Sequence, residues 1–461
     1  MDKLKLSLKP TQILVLGFLF LIFSGGVLLS LPLSSADGSF TPFLDSLFTS
    51  ASATCVTGLT VVNTAQHWSF FGKLIILMLI QIGGLGFITL MTAVLLLAGK
   101  RITLKERVVI QESLNLSKKH GIVRFVKFLA KFTLAIELIG AIILTFCFLS
   151  DYSPLKAVGM GIFHSISAFC NAGFDIIGTN SLMPYAEDII VNIVIMLLVI
   201  TGGLGFPVWV DLLGLINNDK EKKLKIKQKI KKLSLHSKLV LISTVILILS
   251  GALFTFVFEC NNPDTMGNYS TSGKILASFF HSVVLRTAGF LTMDYSGLRY
   301  STEFLSIILM MIGGSPCGTA GGIKTISAAI ILLAVISIIK DKDSIYAFRR
   351  SISFRILQKA LTVTILMLTI LLLATTVLSV TEANMRFDYE FIDLLFETAS
   401  ALGTVGSSVG LTPYLSGIGK VIIIICMFIG RLGPITVAIS FMTPNKDKNK
   451  IHYPAEDVLV G

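Results

Sequence analysis

Four glycines carry the chemistry this sequence can do. Gly58, Gly173, Gly289 and Gly406 stand 115, 116 and 117 residues apart, and each has a phenylalanine ten positions earlier, at Phe48, Phe163, Phe279 and Phe396. The residues leading into them are Cys55-Val56-Thr57-Gly58, Cys170-Asn171-Ala172-Gly173, Arg286-Thr287-Ala288-Gly289 and Gly403-Thr404-Val405-Gly406. What such segments share is backbone rather than a reactive side chain. Glycine adopts positive φ and lets backbone approach a ligand without a Cβ in the way. Four such loops around one axis can aim carbonyl oxygens inward and replace the hydration shell of a cation. One glycine alone would be read as a helix-packing site; four in register reverse that reading and mark an internal repeat.

Bond-making chemistry finds no support. The six histidines are scattered, and no Ser/His/Asp or paired-carboxylate arrangement emerges. The six cysteines include no Cys-x-x-Cys pair and no nearby histidine at metal-ligand spacing, so neither zinc nor a disulfide framework is expected. No enzyme and no covalently bound cofactor are expected.

The elements that must position the glycines follow from composition. Of 461 residues, 53% are hydrophobic and only 14% charged, too apolar for an ordinary soluble domain. Apolar runs near the length of a bilayer-spanning helix cover 13–31, 74–97, 125–149, 189–213, 239–258, 304–339, 361–380 and 421–441. The first is too long for the apolar region of a secretory signal. Between paired runs lie moderately apolar segments of about 12 residues, too short to span; Phe43-Leu44-Asp45-Ser46-Leu47-Phe48 and Phe391-Ile392-Asp393-Leu394-Leu395-Phe396 show the shared pattern. The expected fold is all-α and membrane-integral: four fused repeats of outer helix, re-entrant pore helix, glycine loop and inner helix around one pseudo-fourfold pore. The repeats divide as 1–100, 101–218, 219–340 and 341–445, followed by a tail at 446–461. Each pore helix ends before its loop, so the negative end of its dipole faces the axis and favours a cation there without any acidic ring.

Charge sets the orientation. Lys and Arg crowd 100–131, 220–238, 340–359 and the tail, whereas the alternate loops hold Asp45, Asp151, Asp175, Glu187, Glu259 and Asp294 with few basic residues. Basic short loops stay in the cytoplasm, which puts both termini there and the protein in the plasma membrane. The net charge of +12 is therefore read as topology rather than nucleic-acid binding, with part of 220–232 free to meet anionic lipid or an acidic partner.

Two inner segments depart from the plan. In the third repeat, Gly313-Gly314-Ser315-Pro316-Cys317-Gly318-Thr319-Ala320-Gly321-Gly322 excludes a continuous helix, and the absence of Lys directly after Gly322, with Lys324 two places on, excludes a phosphate loop. In the fourth, Gly430-Arg431-Leu432-Gly433 puts a costly charge at membrane depth. We expect 312–323 to form a movable plug held near Arg431. Arg286 is expected to prop the filter by pairing with Glu397 or Asp393. Gly83, Gly84, Gly86, Gly202, Gly203 and Gly205 are read as sites of close helix approach or bending.

These motifs resemble the superfamily of potassium transporters that includes Ktr, Trk and plant HKT proteins, over nearly the whole chain, and eight spans without an extra amino-terminal pair look like its Ktr branch. The resemblance implies potassium as substrate, because Gly58 stands where a serine accompanies sodium selectivity. It also implies a gate loop at Gly313, Gly314, Ser315, Pro316, Gly318, Gly321, Gly322 and Lys324, an arginine barrier at Arg431, and a homodimer on a cytoplasmic nucleotide-binding regulatory ring. Sodium as activator stays open. The other readings are a channel-like subunit of a potassium-pumping ATPase, which would need more helices, and a secondary carrier, which would show an inverted repeat.

Overall fold

The computed structural model describes residues 9–86, 92, 122–217, 228, 231–342, 344–383 and 389–441. The tail from 442, most of the basic stretches 100–131 and 220–232, and the second half of the first inner run (87–97) lie largely or wholly outside these residues.

Four outer helices are long and apolar enough to cross a bilayer unbroken: Pro10–Ser30, Ile122–Phe148, Leu235–Glu259 and Phe354–Thr381. Each displays large apolar side chains outward, among them Phe20, Leu134, Leu253 and Leu372, as a surface facing lipid requires. Each is followed by a pore helix, Phe43–Cys55, Pro154–Phe169, Thr271–Val284 and Phe391–Gly403. These bury nearly every residue of their second halves. Phe48, Phe163 and Phe396 are core residues, but in the third repeat Phe279 is only half-buried and its neighbour Phe280 is fully enclosed. The register of the buried ring slips by one there, in the repeat whose pore helix ends five residues before its glycine.

The inner helices do not run straight. The second breaks between Ile189–Gly203 and Phe206–Leu215 with a bend of 99°, and the fourth between Gly417–Leu432 and Pro434–Phe441 with a bend of 96°. The first ends its half-span Phe70–Leu85 at Gly86. Gly86, Gly205 and Gly433 all take positive φ, 81°, 86° and 83°, and Pro207 and Pro434 begin the next helical turn, where a missing N–H costs nothing. The third inner span is Tyr300–Met311, an irregular segment, then Thr325–Ile339. A two-stranded hairpin, Ile345–Ala347 with Arg350–Ile352, leads on to the fourth outer helix.

Three residues before each break, another glycine meets a pore helix end-on. A Cβ at Gly83, Gly202 or Gly430 would run into the carbonyl oxygen of Thr54, Phe169 or Leu402. Gly83→Ala should therefore overpack this junction, at a cost of about 1–3 kcal/mol, and lower the thermal midpoint of the solubilised protein by several degrees. Gly159→Ala, on an exposed face of the pore helix Pro154–Phe169 with nothing near its added methyl, should be neutral or stabilising by about 0.5–1 kcal/mol. Equal midpoints for the two variants would refute the packing account.

Candidate ion-conduction site

At each pore-helix terminus the backbone turns left-handed twice, at alternate residues. Val56 and Gly58 have φ of 58° and 100°, Asn171 and Gly173 61° and 70°, Thr287 and Gly289 75° and 71°, Thr404 and Gly406 54° and 90°. Alternating handedness turns successive carbonyls to one side of the chain instead of pairing them along it. Three of the four non-glycine residues in this strained region are polar, and strain of this kind persists only where its surroundings impose it.

The loops close on one another in a ring. A Cβ added at Gly58, Gly173 or Gly289 would stand 2.5, 2.6 or 2.6 Å from the carbonyl oxygen of Ala172, Ala288 or Val405, and one at Gly406 would collide with that of Thr57. Each glycine thus abuts the loop of the next repeat, and the fourth returns to the first. The repeats are braced from behind: Gly58 N–H donates to Ser52 Oγ at 3.0 Å, Gly406 N–H to Ser400 Oγ at 3.1 Å, and Ser167 Oγ to the Phe174 carbonyl at 2.7 Å. The third repeat has Val283 at the serine position. Lys420 Nζ reaches Asp45 Oδ1 at 2.6 Å, tying the fourth repeat to the first pore helix.

Above the ring is a cavity of about 220 Å³ lined by all four glycines. Asp175 is its one charged lining residue among the described residues. Burial pushes its carboxyl up to about 6, against hydrogen bonds from Ser181 and the Ile177 and Gly178 amides that lower it.

Below the ring, the irregular segment of the third repeat packs on the filter. Thr319 Oγ1 donates to Asn171 Oδ1 at 2.8 Å and approaches the Phe169 carbonyl at 3.2 Å. Ser315 N–H and Thr319 N–H donate to the carbonyls of Gly203 and Gly202, at 2.9 and 3.2 Å, and Phe206 N–H to that of Cys317 at 3.1 Å. Lys324 Nζ holds the Ala320 carbonyl at 2.7 Å. Arg431 donates from Nη1 to the Thr319 carbonyl and from Nη2 to those of Gly83 and Gly84, the last at 2.9 Å. Gly313, Gly314, Pro316, Gly318, Gly321 and Gly322 make up the rest of this tightly stitched loop.

Arg286 departs from expectation. It forms no ion pair among the described residues and its Nε has no partner. Glu397 instead accepts from Ser408 and Thr412. The reason is depth: Glu397 lies mid-way along its pore helix and serves the outer loop, whereas Arg286 follows the inner end of the third, walled by Gly203, Thr244, Ile248 and Gly314. The reading of Gly83 and Gly202 as sites of close helix approach agrees with the structure, where each abuts a pore-helix end; sequence reasoning missed that the carbonyls of Gly83, Gly84, Gly202 and Gly203 receive Arg431 and the loop. A signal existed: Gly83-Gly84-Leu85-Gly86, Gly202-Gly203-Leu204-Gly205, Gly313-Gly314-Ser315-Pro316 and Gly430-Arg431-Leu432-Gly433 begin 25, 29, 24 and 24 residues after their filter glycines. In that frame the plug begins, and Arg431 stands, at counterparts of ordinary helix-break glycines.

With this geometry in view, the comparisons are decisive. The sequence matches the TrkH family, described as cation transport protein, over residues 9–451. The chain belongs to that family. It is 41% identical to the Ktr system potassium uptake protein B of Bacillus subtilis, covering 98% of this chain and 97% of that one. It is 38% identical to the potassium/sodium uptake protein NtpJ of Enterococcus hirae, covering 100% and 99%. The fold resembles that of the potassium transporter TrkH from Vibrio parahaemolyticus, with a TM-score of 0.72 and 19% identity over 96% of this chain and 87% of that one. This TrkH-family member is thus an integral membrane transport protein rather than an enzyme, with the repeated outer-helix, pore-helix and inner-helix plan.

Asp175 gives the outer cavity of this TrkH-family chain a pH dependence. With its carboxyl pushed up to about 6, acidifying the solution that meets this cavity from pH 7.5 to 5 should remove the cavity's negative charge and its attraction for cations. Cation influx at subsaturating concentration should fall a few-fold over that range. In Asp175→Asn the flux should be low and flat; a variant that keeps the wild-type acid sensitivity would show that Asp175 is not its source.

Proposed function

We propose that the chain takes up potassium through the ring of filter carbonyls, gated from below by the 312–323 loop. The cyclic contact of Gly58, Gly173, Gly289 and Gly406, with left-handed backbone two residues before each, carries this reading. Carbonyl oxygens presented by Cys55, Val56, Thr57, Cys170, Asn171, Ala172, Arg286, Thr287, Ala288, Gly403, Thr404, Val405 and the four glycines replace the hydration shell of potassium. The names of the Bacillus and Enterococcus relatives support potassium as substrate, and the Enterococcus name keeps sodium as a second cation or activator. Uptake runs down the membrane potential, worth about 2.3 kcal/mol per charge for each 100 mV.

The chain is placed in the plasma membrane with both termini cytoplasmic and repeats bounded near 100, 218 and 340, as a homodimer of complete pores. Its basic faces at 100–131 and 220–238 meet anionic lipid and a cytoplasmic nucleotide-binding regulatory ring. In the gate, the loop blocks the path physically, and Arg431 opposes a passing cation with its charge while its fork of donors fixes the closed arrangement.

Two experiments test the parts separately. Gly406→Ser introduces a Cβ against Thr57 and should abolish potassium uptake or weaken its preference over sodium by about tenfold or more, as loss of about 1.4 kcal/mol of differential binding requires; unaltered selectivity in liposomes would remove the filter assignment. Deleting 316–321, or Arg431→Ala, should raise potassium flux several-fold with selectivity roughly unchanged. Flux that fails to rise in both, at normal membrane abundance, would remove the gate assignment.

A further inference from the structure

At the end of the third inner span remote from its irregular segment lies a larger cavity, of about 530 Å³. It opens between the start of Tyr300–Met311 and the start of the fourth pore helix, Phe391–Gly403. Three carboxyl groups line it, Glu303, Glu390 and Asp393, and among the described residues the one cationic lining group is Arg299, which is exposed. Two of the acids have local work. Asp393 Oδ2 accepts from the Glu390 N–H at 2.7 Å, capping the pore helix, and Glu390 Oε1 accepts from Tyr300 Oη at 2.6 Å.

Glu303 has no such work. It is only 3% exposed, and its Oε1 has no hydrogen-bond partner. An acid in the first turn of a helix commonly serves the positive helix end. Here Glu259 already does so, accepting from the Arg299 N–H at 3.1 Å and from the Thr302 hydroxyl. Beside Glu303 stands the like-charged Asp393. An enclosed carboxylate is costly without a compensating partner, and two adjacent ones favour a positive group between them.

The remaining lining narrows the class of that group. Tyr295, Tyr300 and Tyr389 all face the cavity, and their hydroxyls are committed. Tyr295 Oη bonds His281 Nδ1 at 2.7 Å, Tyr389 Oη donates to the Glu382 carbonyl at 2.6 Å, and Tyr300 Oη holds Glu390. They therefore offer the cavity their rings, which attract ammonium groups. The volume lies within the range of small-molecule sites, about 300–1,000 Å³, and far exceeds what an inorganic ion fills. No three His, Cys, Asp or Glu side chains among the described residues group closely enough to hold a metal ion. The acids stand instead at two levels, Glu303 enclosed and Glu390 exposed.

We infer that this cavity binds an organic cation carrying two or more ammonium groups, one held by Glu303 and Asp393 among the tyrosine rings and another by Glu390 at the mouth. Arg299 opposes binding from the exposed edge, where solvent and salt screen it. The ligand ties the third inner span to the fourth pore helix. Tyr295 carries that contact inward, with its hydroxyl on His281 of the third pore helix and its ring edge-on to Phe396 of the fourth, centroids 6.4 Å apart. The site is separate from the glycine ring and does not depend on which cation that ring conducts.

Calorimetric titration of the full chain in a nonionic detergent tests the site, with spermidine as the probe. Spermidine should bind once per chain, and butylamine, with a single ammonium group, much more weakly. Magnesium ion should not displace it. Glu303→Gln and Glu390→Gln should each weaken spermidine binding about tenfold or more. Asp37→Asn, at an exposed acid of another loop, should leave it unaltered. No binding at millimolar spermidine, full affinity in Glu303→Gln, or an equal loss in Asp37→Asn overturns the site. Butylamine binding as tightly as spermidine, or displacement of spermidine by magnesium ion, overturns the ligand class. If Glu303→Gln does not fold, Glu390→Gln decides alone, since Glu390 is exposed at a helix start, and full affinity there overturns the site.

Discussion

Backbone carbonyls without helical partners cannot remain bare inside a bilayer, and the glycine loops and inner-helix breaks of this protein answer that constraint. The filter answers it by turning carbonyls toward one axis. It can do so only because four glycines let adjacent loops touch Cα to backbone, Gly58 against Gly173, Gly173 against Gly289, Gly289 against Gly406 and Gly406 against Gly58. The serines behind the loops, Ser52, Ser167 and Ser400, pair with the Gly58 N–H, the Phe174 carbonyl and the Gly406 N–H from the pore-helix side. Under the proposed function, the carbonyls facing the axis are left for an ion.

The same constraint links the glycine ring to the irregular loop of the third repeat. The first inner half-span ends at Gly86 and the second inner helix breaks at Gly205, which frees carbonyls in the turn before each, at Gly83, Gly84, Gly202 and Gly203. These are the acceptors that Arg431, Ser315 and Thr319 use. Helix breaks, loop and arginine are therefore one hydrogen-bonded assembly whose donors and acceptors are matched across four repeats. Under the proposed gating, withdrawal of the loop would leave those carbonyls without protein partners, which is tolerable only where water or ions replace them, as they would in an open pore.

The fold was legible because its signal is a period. A spacing of 115–117 residues between glycines is visible in the sequence whatever the local conformation, and it locates the four left-handed loops directly. The bends were less legible, since a hydropathy run records composition and continues smoothly through Gly205 and Gly433, where the chain turns by nearly a right angle. Only φ distinguishes a glycine that packs from one that breaks a helix. Arg286 shows another limit. Its proximity to Glu397 is apparent in repeat register alone, but depth along the pore helix separates them, so the carboxylate is satisfied by hydroxyls of its own outer loop.

Under the proposed function, symmetry builds the pore and its violations supply the control points. Four identical repeats would make a filter open at both ends, with a glycine at every helix break and no reason for the path to close. At the helix breaks the repeats depart from one plan in two places: Arg431 stands where Gly84, Gly203 and Gly314 are its counterparts, and the third repeat begins an irregular loop where the second bends. These departures face each other, since Arg431 of the fourth repeat bonds the loop of the third and the broken helix of the first. A contact drawing on three repeats cannot arise in a homotetramer of one repeat unless every copy carries the same arginine and the same loop. Four cations crowded around one axis, and four loops competing for the space beneath one filter, would oppose one another. Fusion into a single chain removes that conflict by letting one repeat hold the loop, one the arginine, and the other two the carbonyls that receive them.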